Sequence, residues 1–513
     1  MMEIEAEWGI RVAWTRTRTR WLMLSLLFCL LGLSLLAFGP MLTPYPRTFS
    51  WVDSVRAGRA HLERSDYLPA EWYLMRALRQ AERFGLEDRR RACTLSALAE
   101  LCKKQGRTAE AISLLEQAIP ISEKAGDSKS LLATRLQLSQ LYKDQGRFPE
   151  VLAMLQQACE LARRVKGPDD PLVAHLLVGT LIPYKEMGRF KEAEAAAEEA
   201  VEILRRVPDP PHPRLADALH FLAEMRRRQR KYAQAENSYR EELGIREQDV
   251  QPDKEDMARC LHRLEEVLCA QGRYPEAKVI GERAAQFAEE AFGPESPEIA
   301  VYLMRLAETY YLTKETTLSV ATAQRAVDIA EKSYGSDHLY VANALITLGL
   351  AHFGEGQRTD ALPLLERARV IRETTPGPSE AHERLLMFML GVAHKDLGHD
   401  TEAERYLRCH IELQEQRHGR DEEDLANARF ILCSLYLQQK CYEEAEPLFR
   451  KVLAYYEATA APDDPDLLWH LEAYADLLKK LDRAEEAAGF EERAREIRDR
   501  APSHPHTDKE PPE

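Results

Sequence analysis

Fifteen histidines, nine cysteines and 85 acidic side chains stand in this 513-residue chain, and their spacing decides what chemistry they could do. His220 and His262 stand 42 residues apart, one period of the repeat described below. Converging imidazoles could hold a metal; two stacked surface rings is the plainer reading. Glu265 and Glu266 are neighbours on a helical segment, where carboxylates point to different sides rather than facing each other as an acid–base pair must. No G-x-S-x-G, G-x-x-x-x-G-K, H-E-x-x-H or C-x-x-C pattern occurs. Repetition places one residue type in a row without building a convergent pocket. The expectation is a protein that is not an enzyme, with no catalytic residues, no metal and no cofactor.

The cysteines point the same way. Cys93 and Cys102 are nine residues apart on one segment with helical character, as are Cys260 and Cys269. Nine residues of helix rise about 13 Å, too far for a disulfide. Cys433 takes a slot that other repeats give to Ala or Gly, as a small apolar filler would. Cys409 with Cys433 is the one pairing that adjacent helices could bridge.

The elements that position these residues repeat. Gly106, Gly146, Gly188, Gly272, Gly356 and Gly398 mark turns, and Arg230, Lys314 and Lys440 hold the same register. Ser65 begins the series and Asp482 ends it. From 146 to 482 every step is 42 residues, after first steps of 41 and 40. Five residues after the marker stands Ala in nine of eleven copies, and twelve after it Ala recurs. Seven before it a small residue is usual, as in Gly58, Ala99, Gly349 and Gly391. Small residues let two helices approach closely, and Gly supplies a positive-φ helix end. A second breaker, such as Gly167-Pro168 or Gly293-Pro294, follows about 21 residues later. Each copy reads as two antiparallel helices that must stack on neighbours to bury their apolar faces. Exceptions stand out: Glu265 replaces a small residue, and Glu242 and His410 replace Ala. Looser packing is expected there.

Composition agrees. Hydrophobic residues make up 45% and charged residues 30%, which excludes global disorder. The net charge of −15 disfavours a non-specific nucleic-acid binder, so no nucleic-acid partner is expected. The pattern resembles the tetratricopeptide repeat, in the 42-residue form of kinesin light chains, whose inter-repeat loop reads G-P-x-H-P; GPDDP, GPESP and GSDHL stand at that place here. The resemblance implies an all-α fold: a right-handed superhelical solenoid of about eleven helix-turn-helix repeats. It does not imply a motor adaptor. That family carries a heptad coiled coil before its repeats, where this chain has an apolar segment.

That segment, Trp21 to Phe38, is 18 residues without a charge, nine of them Leu, and the uncharged stretch runs on to Pro46. Eighteen helical residues span about 27 Å, close to a bilayer core. One transmembrane helix is therefore expected before the solenoid. The expected organisation is a basic segment over 1–20, a membrane anchor over 21–42, a linker over 43–50, the repeat solenoid over 51–499 and a disordered tail over 500–513. Arg11, Arg16, Arg18 and Arg20 precede the span and only Arg47 follows closely, so the positive-inside rule puts the amino terminus in the cytoplasm and the array on the other side. Unpaired thiols fit an oxidising exterior poorly and pull against that orientation.

In the resembling family the first helix of each pair lines the concave face, at positions thirteen, ten, six and three before the marker. The middle repeats place Glu224, Glu266 and Glu308 there, an acidic stripe beside His220 and His262. The later repeats place Met304, Ile346, Phe388 and Phe430 at minus ten. Tyr311, Phe353 and Leu437 stand at minus three, Leu350 and Val392 at minus six, and Asn343 and Asn427 at minus thirteen. This forms an apolar groove rimmed by amides able to hold a peptide backbone, unless long helices bury these positions. The expected function is a membrane-anchored scaffold that binds a protein or peptide partner on this face. The membrane would be contacted through residues 21–42, and a homo-oligomer is compatible with the array. The alternative is a regulatory or assembly subunit of a membrane-associated enzyme or secretion complex.

Overall fold

Small residues at fixed spacing and a left-handed residue every 40 to 42 positions build the repeats. The computed structural model describes residues 49–207, 213–249, 251–375, 380–416, 422–460 and 464–500. Among them are 22 α-helices and no strand. In chain order they are α1 Trp51–Glu63, α2 Tyr67–Glu82, α3 Arg89–Lys104, α4 Thr108–Lys124, α5 Ser128–Asp144, α6 Phe148–Lys166, α7 Pro171–Glu186 and α8 Phe190–Arg205. Then come α9 Pro213–Arg228, α10 Tyr232–Glu247, α11 Lys254–Ala270, α12 Tyr274–Phe292, α13 Ile299–Leu312, α14 Thr316–Tyr334, α15 Leu339–Gly354 and α16 Arg358–Thr374. The series closes with α17 Glu380–Asp396, α18 Asp400–Glu415, α19 Glu422–Gln438, α20 Tyr442–Thr459, α21 Pro465–Lys480 and α22 Ala484–Arg500. Odd-numbered helices are the first, and even-numbered the second, of eleven successive repeats.

Every turn marker lies in the left-handed region, with φ from 58° at Asp482 to 77° at Gly398. The residue after it donates its N–H to a carbonyl five positions back, as Arg273 does to Leu268 (3.0 Å) and Glu315 to Tyr310 (2.9 Å). That bond satisfies an orphan carbonyl at the helix end and reverses the chain in two residues. Between repeats the expected caps are present. Asp88 accepts from the Arg90 N–H, Asp170 from Leu172, and Asp253 from Glu255 and Asp256.

All nine phased alanines five residues after the markers, from Ala70 to Ala487, are fully buried. The close approach they permit is completed by a second pair, seven before and nine after the marker. A β-carbon at Gly349 would lie 2.7 Å from Leu365 Cδ2, and one at Gly391 would lie 2.7 Å from Leu407 Cγ. Large side chains on the second helix thus fill notches on the first. In the 254–292 repeat the pair is reversed. Glu265 occupies the first helix, and a β-carbon at Gly281 would lie 2.5 Å from its Oε1.

The chain divides into two compact units, residues 1–187 and 188–513. In the second, the first helices of successive repeats also pack on one another, most extensively α13 on α15, followed by α15 on α17. In the first, α1 touches α3 and α3 touches α5. Second helices show no comparable packing on one another among the described residues. Within each unit, the first helices therefore form the more tightly spaced layer. The expected anchor over 21–42 lies outside the described residues, as does the expected tail over 500–513 apart from Arg500, which ends α22. Among those described, no helix is long and apolar enough to cross a membrane.

Candidate functional site

The acidic stripe of the middle repeats is interleaved with arginine. Glu224 pairs with Arg227 (2.9 Å) and Arg228 (2.7 Å), Glu266 with Arg263 (2.9 Å) and Arg227 (3.5 Å), and Glu308 with Arg305 (2.7 Å). Burial disfavours the Glu224 carboxylate, but Arg227, Arg228 and Arg263 outweigh it and hold it below the usual range. The same balance holds for Glu266, with Arg263 and Arg227 as the opposing charges. The face here is a ladder of neutralised pairs, a correction to the bare stripe expected. The two histidines are not surface imidazoles either. His220 Nδ1 lies 3.1 Å from the buried Glu242, and His262 is largely enclosed against Tyr302. Desolvation lowers the His262 pKa to about 4, so it stands neutral. Among the described residues no group of three His, Cys, Asp or Glu side chains could hold a metal ion.

The exceptions in the repeat are buried polar centres, not loosened packing. Glu242 sits between His220 and Arg246 (2.9 Å), and Arg246 also reaches Asp217 and Asp256. His410 Nδ1 faces the Arg384 carbonyl at 2.9 Å. Glu265 Oε1 accepts from Thr309 Oγ1 at 2.6 Å, and desolvation raises its pKa to about 7. Cys409 and Cys433 are both free thiols, so the bridge weighed for them is absent. Burial pushes the Cys433 thiol up to about 12.

The apolar row of the later repeats has a mixed exposure. Met304 (8% exposed) and Ile346 (1%) belong to the core. This corrects the groove at those two positions: α13 and α15 pack so closely that the minus-ten side chains fill the gap between them. Leu350 and Phe353 are half-buried against the same core, with Arg358 over the Phe353 ring at 4.3 Å. Tyr311 is half-buried, its ring against the Gly354 backbone, where a β-carbon would come within 2.9 Å of Cδ2. Asn343 is engaged, its Oδ1 accepting from Arg372 at 3.3 Å. Val392 is half-buried and Asn427 exposed. Phe388, Phe430 and Leu437 are half-buried against the core of the last repeats.

One residue on this face escaped the sequence reading. Trp469, thirteen before Asp482, is 45% exposed and meets Phe430 edge-on with centroids 5.5 Å apart. His470 lies behind them, stacked on Tyr456. The same register arithmetic finds Trp469 when carried one repeat further. The structure thus brings Phe430 and Trp469 together at one end of the row, with Asn427 exposed three residues before Phe430 on the same helix, and has Tyr311 and Phe353 at the other.

Comparison with known proteins gives the following. Residues 87–259 match a model described as the MalT-like TPR region. Residues 256–332, 298–374 and 424–500 match the tetratricopeptide repeat. No curated protein matches the sequence. Among solved structures, the chain is similar to a Podosopora anserina protein with nearly identical kinesin-light-chain TPR-like repeats, at 22% identity over 40% of this chain and 97% of that one, TM-score 0.37. It is similar to BtubC (BKLC) from P. vanneervenii at 21% identity over 45% and 94%, TM-score 0.38. It is also similar to the apo form of RapI at 13% identity over 79% and 96%, TM-score 0.49.

Proposed function

We propose that this chain, a tetratricopeptide repeat protein, is a membrane-anchored scaffold that holds a polypeptide partner on the first-helix face of its later repeats and does no chemistry of its own. Such repeats are typical of protein–protein interaction scaffolds. The anchor is the uncharged segment within 21–42, and the basic residues before it favour an array on the side opposite the amino terminus. The 42-residue period and the GPDDP and GPESP loops favour the kinesin-light-chain form of the repeat, wound into a right-handed superhelix.

The observation that carries the reading is the Phe430–Trp469 pair. An indole left 45% exposed beside a half-buried Phe, with the exposed Asn427 three residues before that Phe on the same helix, offers a partner both an apolar anchor and a backbone hydrogen-bonding group. Leu437, Val392 and Phe388 extend that surface toward Leu350, Phe353 and Tyr311. An exposed aromatic can be removed without emptying the core, so the test uses Trp469→Ala beside Phe430→Ser. Proteins recovered with the full chain from its native membranes are quantified for wild type and both variants. A partner of this face drops at least about tenfold with Trp469→Ala, as hot-spot aromatics do, while helicity by circular dichroism stays unchanged. Recovery indifferent to both substitutions rejects the face. Impermeant thiol labelling of intact cells reads the side of the membrane on which the array stands.

A further inference from the structure

We infer that the outer face of the first repeat rests on a lipid bilayer surface containing anionic headgroups. This rests on the anchor proposed above, because a tether at 21–42 is what brings the repeat to the bilayer. Three of the largest exposures among bulky apolar side chains fall together here: Leu68 (71%), Leu86 (65%) and Phe84 (56%). Met75 is 40% exposed. Leu68, Met75 and Arg79 are spaced by seven and four residues on α2, so they share one face of it. Phe84 and Leu86 follow at its carboxy-terminal end.

The repeat supplies its own controls. At the position of Met75, all ten later copies carry a charged residue or an amide, among them Glu116, Glu198, Arg240 and Glu366. At the position of Leu68 none carries a large apolar residue; Lys191, Thr317 and Glu443 are examples. Since the fold needs only the inner face of α2, the positions of Leu68 and Met75 are free to be small or polar, as they are in every later copy. The apolar outer stripe therefore answers to something outside the repeat.

Charge and tether length name the occupant. Residues 51–91 hold nine Arg against seven Asp and Glu, in a chain with net charge −15. Arg79 and Arg83 are exposed and make no ion pair among the described residues; of the acids on this side of the helix, Glu71 is taken up by Arg107 (3.1 Å) and Glu82 stands beside Arg83. Arg90 lies over the Phe84 ring at 3.8 Å, setting a cation beside the apolar tip. Apolar side chains flanked by the exposed Arg79 and Arg83, with Arg90 shared between the Phe84 ring and Asp88 (4.0 Å), suit the headgroup–acyl boundary of an anionic surface. Twelve residues separate Phe38 from Trp51. Even fully extended they reach no more than about 45 Å, which keeps this repeat at the surface in which the apolar segment would sit.

The full chain is reconstituted into phosphatidylcholine vesicles with and without phosphatidylglycerol, each carrying a photoactivatable acyl-chain lipid, and lipid adducts are mapped by peptide mass spectrometry. Adducts on residues 67–91 are expected, several-fold more with phosphatidylglycerol. Leu68→Ser, Met75→Ser, Phe84→Ser and Leu86→Ser combined lower them at least fivefold, with adducts in 21–42 retained. Arg79→Gln with Arg83→Gln lowers the anionic increment by about fivefold or more and leaves the apolar face and helicity intact. Adducts confined to 21–42 overturn the proposal and spare the anchor. Adducts on 67–91 without any in 21–42 sustain the proposal and remove the anchor. Cross-links from 67–91 only to residues 1–48 or to a second copy overturn it, since another occupant then covers the stripe.

Discussion

Glu265 shows what a repeat tolerates at a single residue. Its carboxyl is enclosed between helices, held by Thr309 and given room by the bare Cα of Gly281. Burial raises its pKa from 4.5 to about 7, against the pull of Arg305. A raised folded-state pKa means the protonated form is the one the fold favours. The contribution to stability is therefore whole below pH 4.5 and is lost as pH rises through 7. Glu265→Gln keeps the shape and removes the titration. It should match wild type near pH 4.5 and exceed it at pH 8 by about 1–3 kcal/mol, read by chemical denaturation at the two values. His262, lowered to about 4, works in the opposite sense: its contribution is present above 6.5 and lost as pH falls through 4. It is common to both proteins and cancels in the comparison. A constant difference across pH would mean that Glu265 ionises no less readily in the fold than out of it. A second residue-scale cost sits at the markers. Lys314 (φ 63°) and Lys440 (φ 61°) hold a conformation that costs an L-residue about 1–2 kcal/mol. Lys314→Gly and Lys440→Gly should each stabilise by about 0.5–1 kcal/mol after the greater freedom of Gly in the unfolded chain is counted. Gly272→Ala should destabilise by a similar amount from backbone strain alone, since an added β-carbon there meets nothing within 4 Å. Thermal denaturation of the three variants checks the signs.

At the scale of the helix pair, packing is set by which helix carries the large side chain. Gly391→Ala should cost about 1–3 kcal/mol, because its β-carbon collides with Leu407 rather than with a yielding surface chain. Leu407→Ala should cost about 2–5 kcal/mol by leaving a cavity. Combined, the two should cost less than their sum by at least about 0.5 kcal/mol, because the new methyl enters the space the Leu vacates; strict additivity in denaturant titrations would mean the notch is not filled this way. This is also where the sequence stopped being legible. The markers, the phased alanines and the Asp caps follow from one chain segment obeying local geometry, and each stands where its spacing puts it. Glu265 is visible as an exception, but its compensation at Gly281 is on the facing helix and has no local signature. Periodicity puts Met304 and Ile346 on one face of their helices but does not fix the gap to the next first helix, and there α13 and α15 close it. The arginines that neutralise Glu224, Glu266 and Glu308 lie three or four residues away, so that correction could have been read from helical spacing alone.

At the scale of the whole chain, repeats that touch chiefly their neighbours within each compact unit should transmit damage only a short way. Phe449 is buried in α20 between Phe430, His470 and Tyr474, at the centre of the core of the last repeats. Phe449→Ala removes that centre at a cost of about 3–5 kcal/mol. In a compact single-core protein such a loss lowers the protection of every slowly exchanging amide. Here the contacts of α20 are with α19 and α21, and the core around it stops at the last repeats. Hydrogen exchange should therefore accelerate in peptides from 422–500, rise less in those from 339–396, and stay at wild-type rates throughout 51–187, which belongs to the other compact unit. The graded profile follows from stacking, in which each repeat borrows stability from the next and lends none beyond it. Equal acceleration in 51–187 would show instead that the eleven repeats open as one body, and partner binding at Phe430 and Trp469 would then be felt along the full length of the chain.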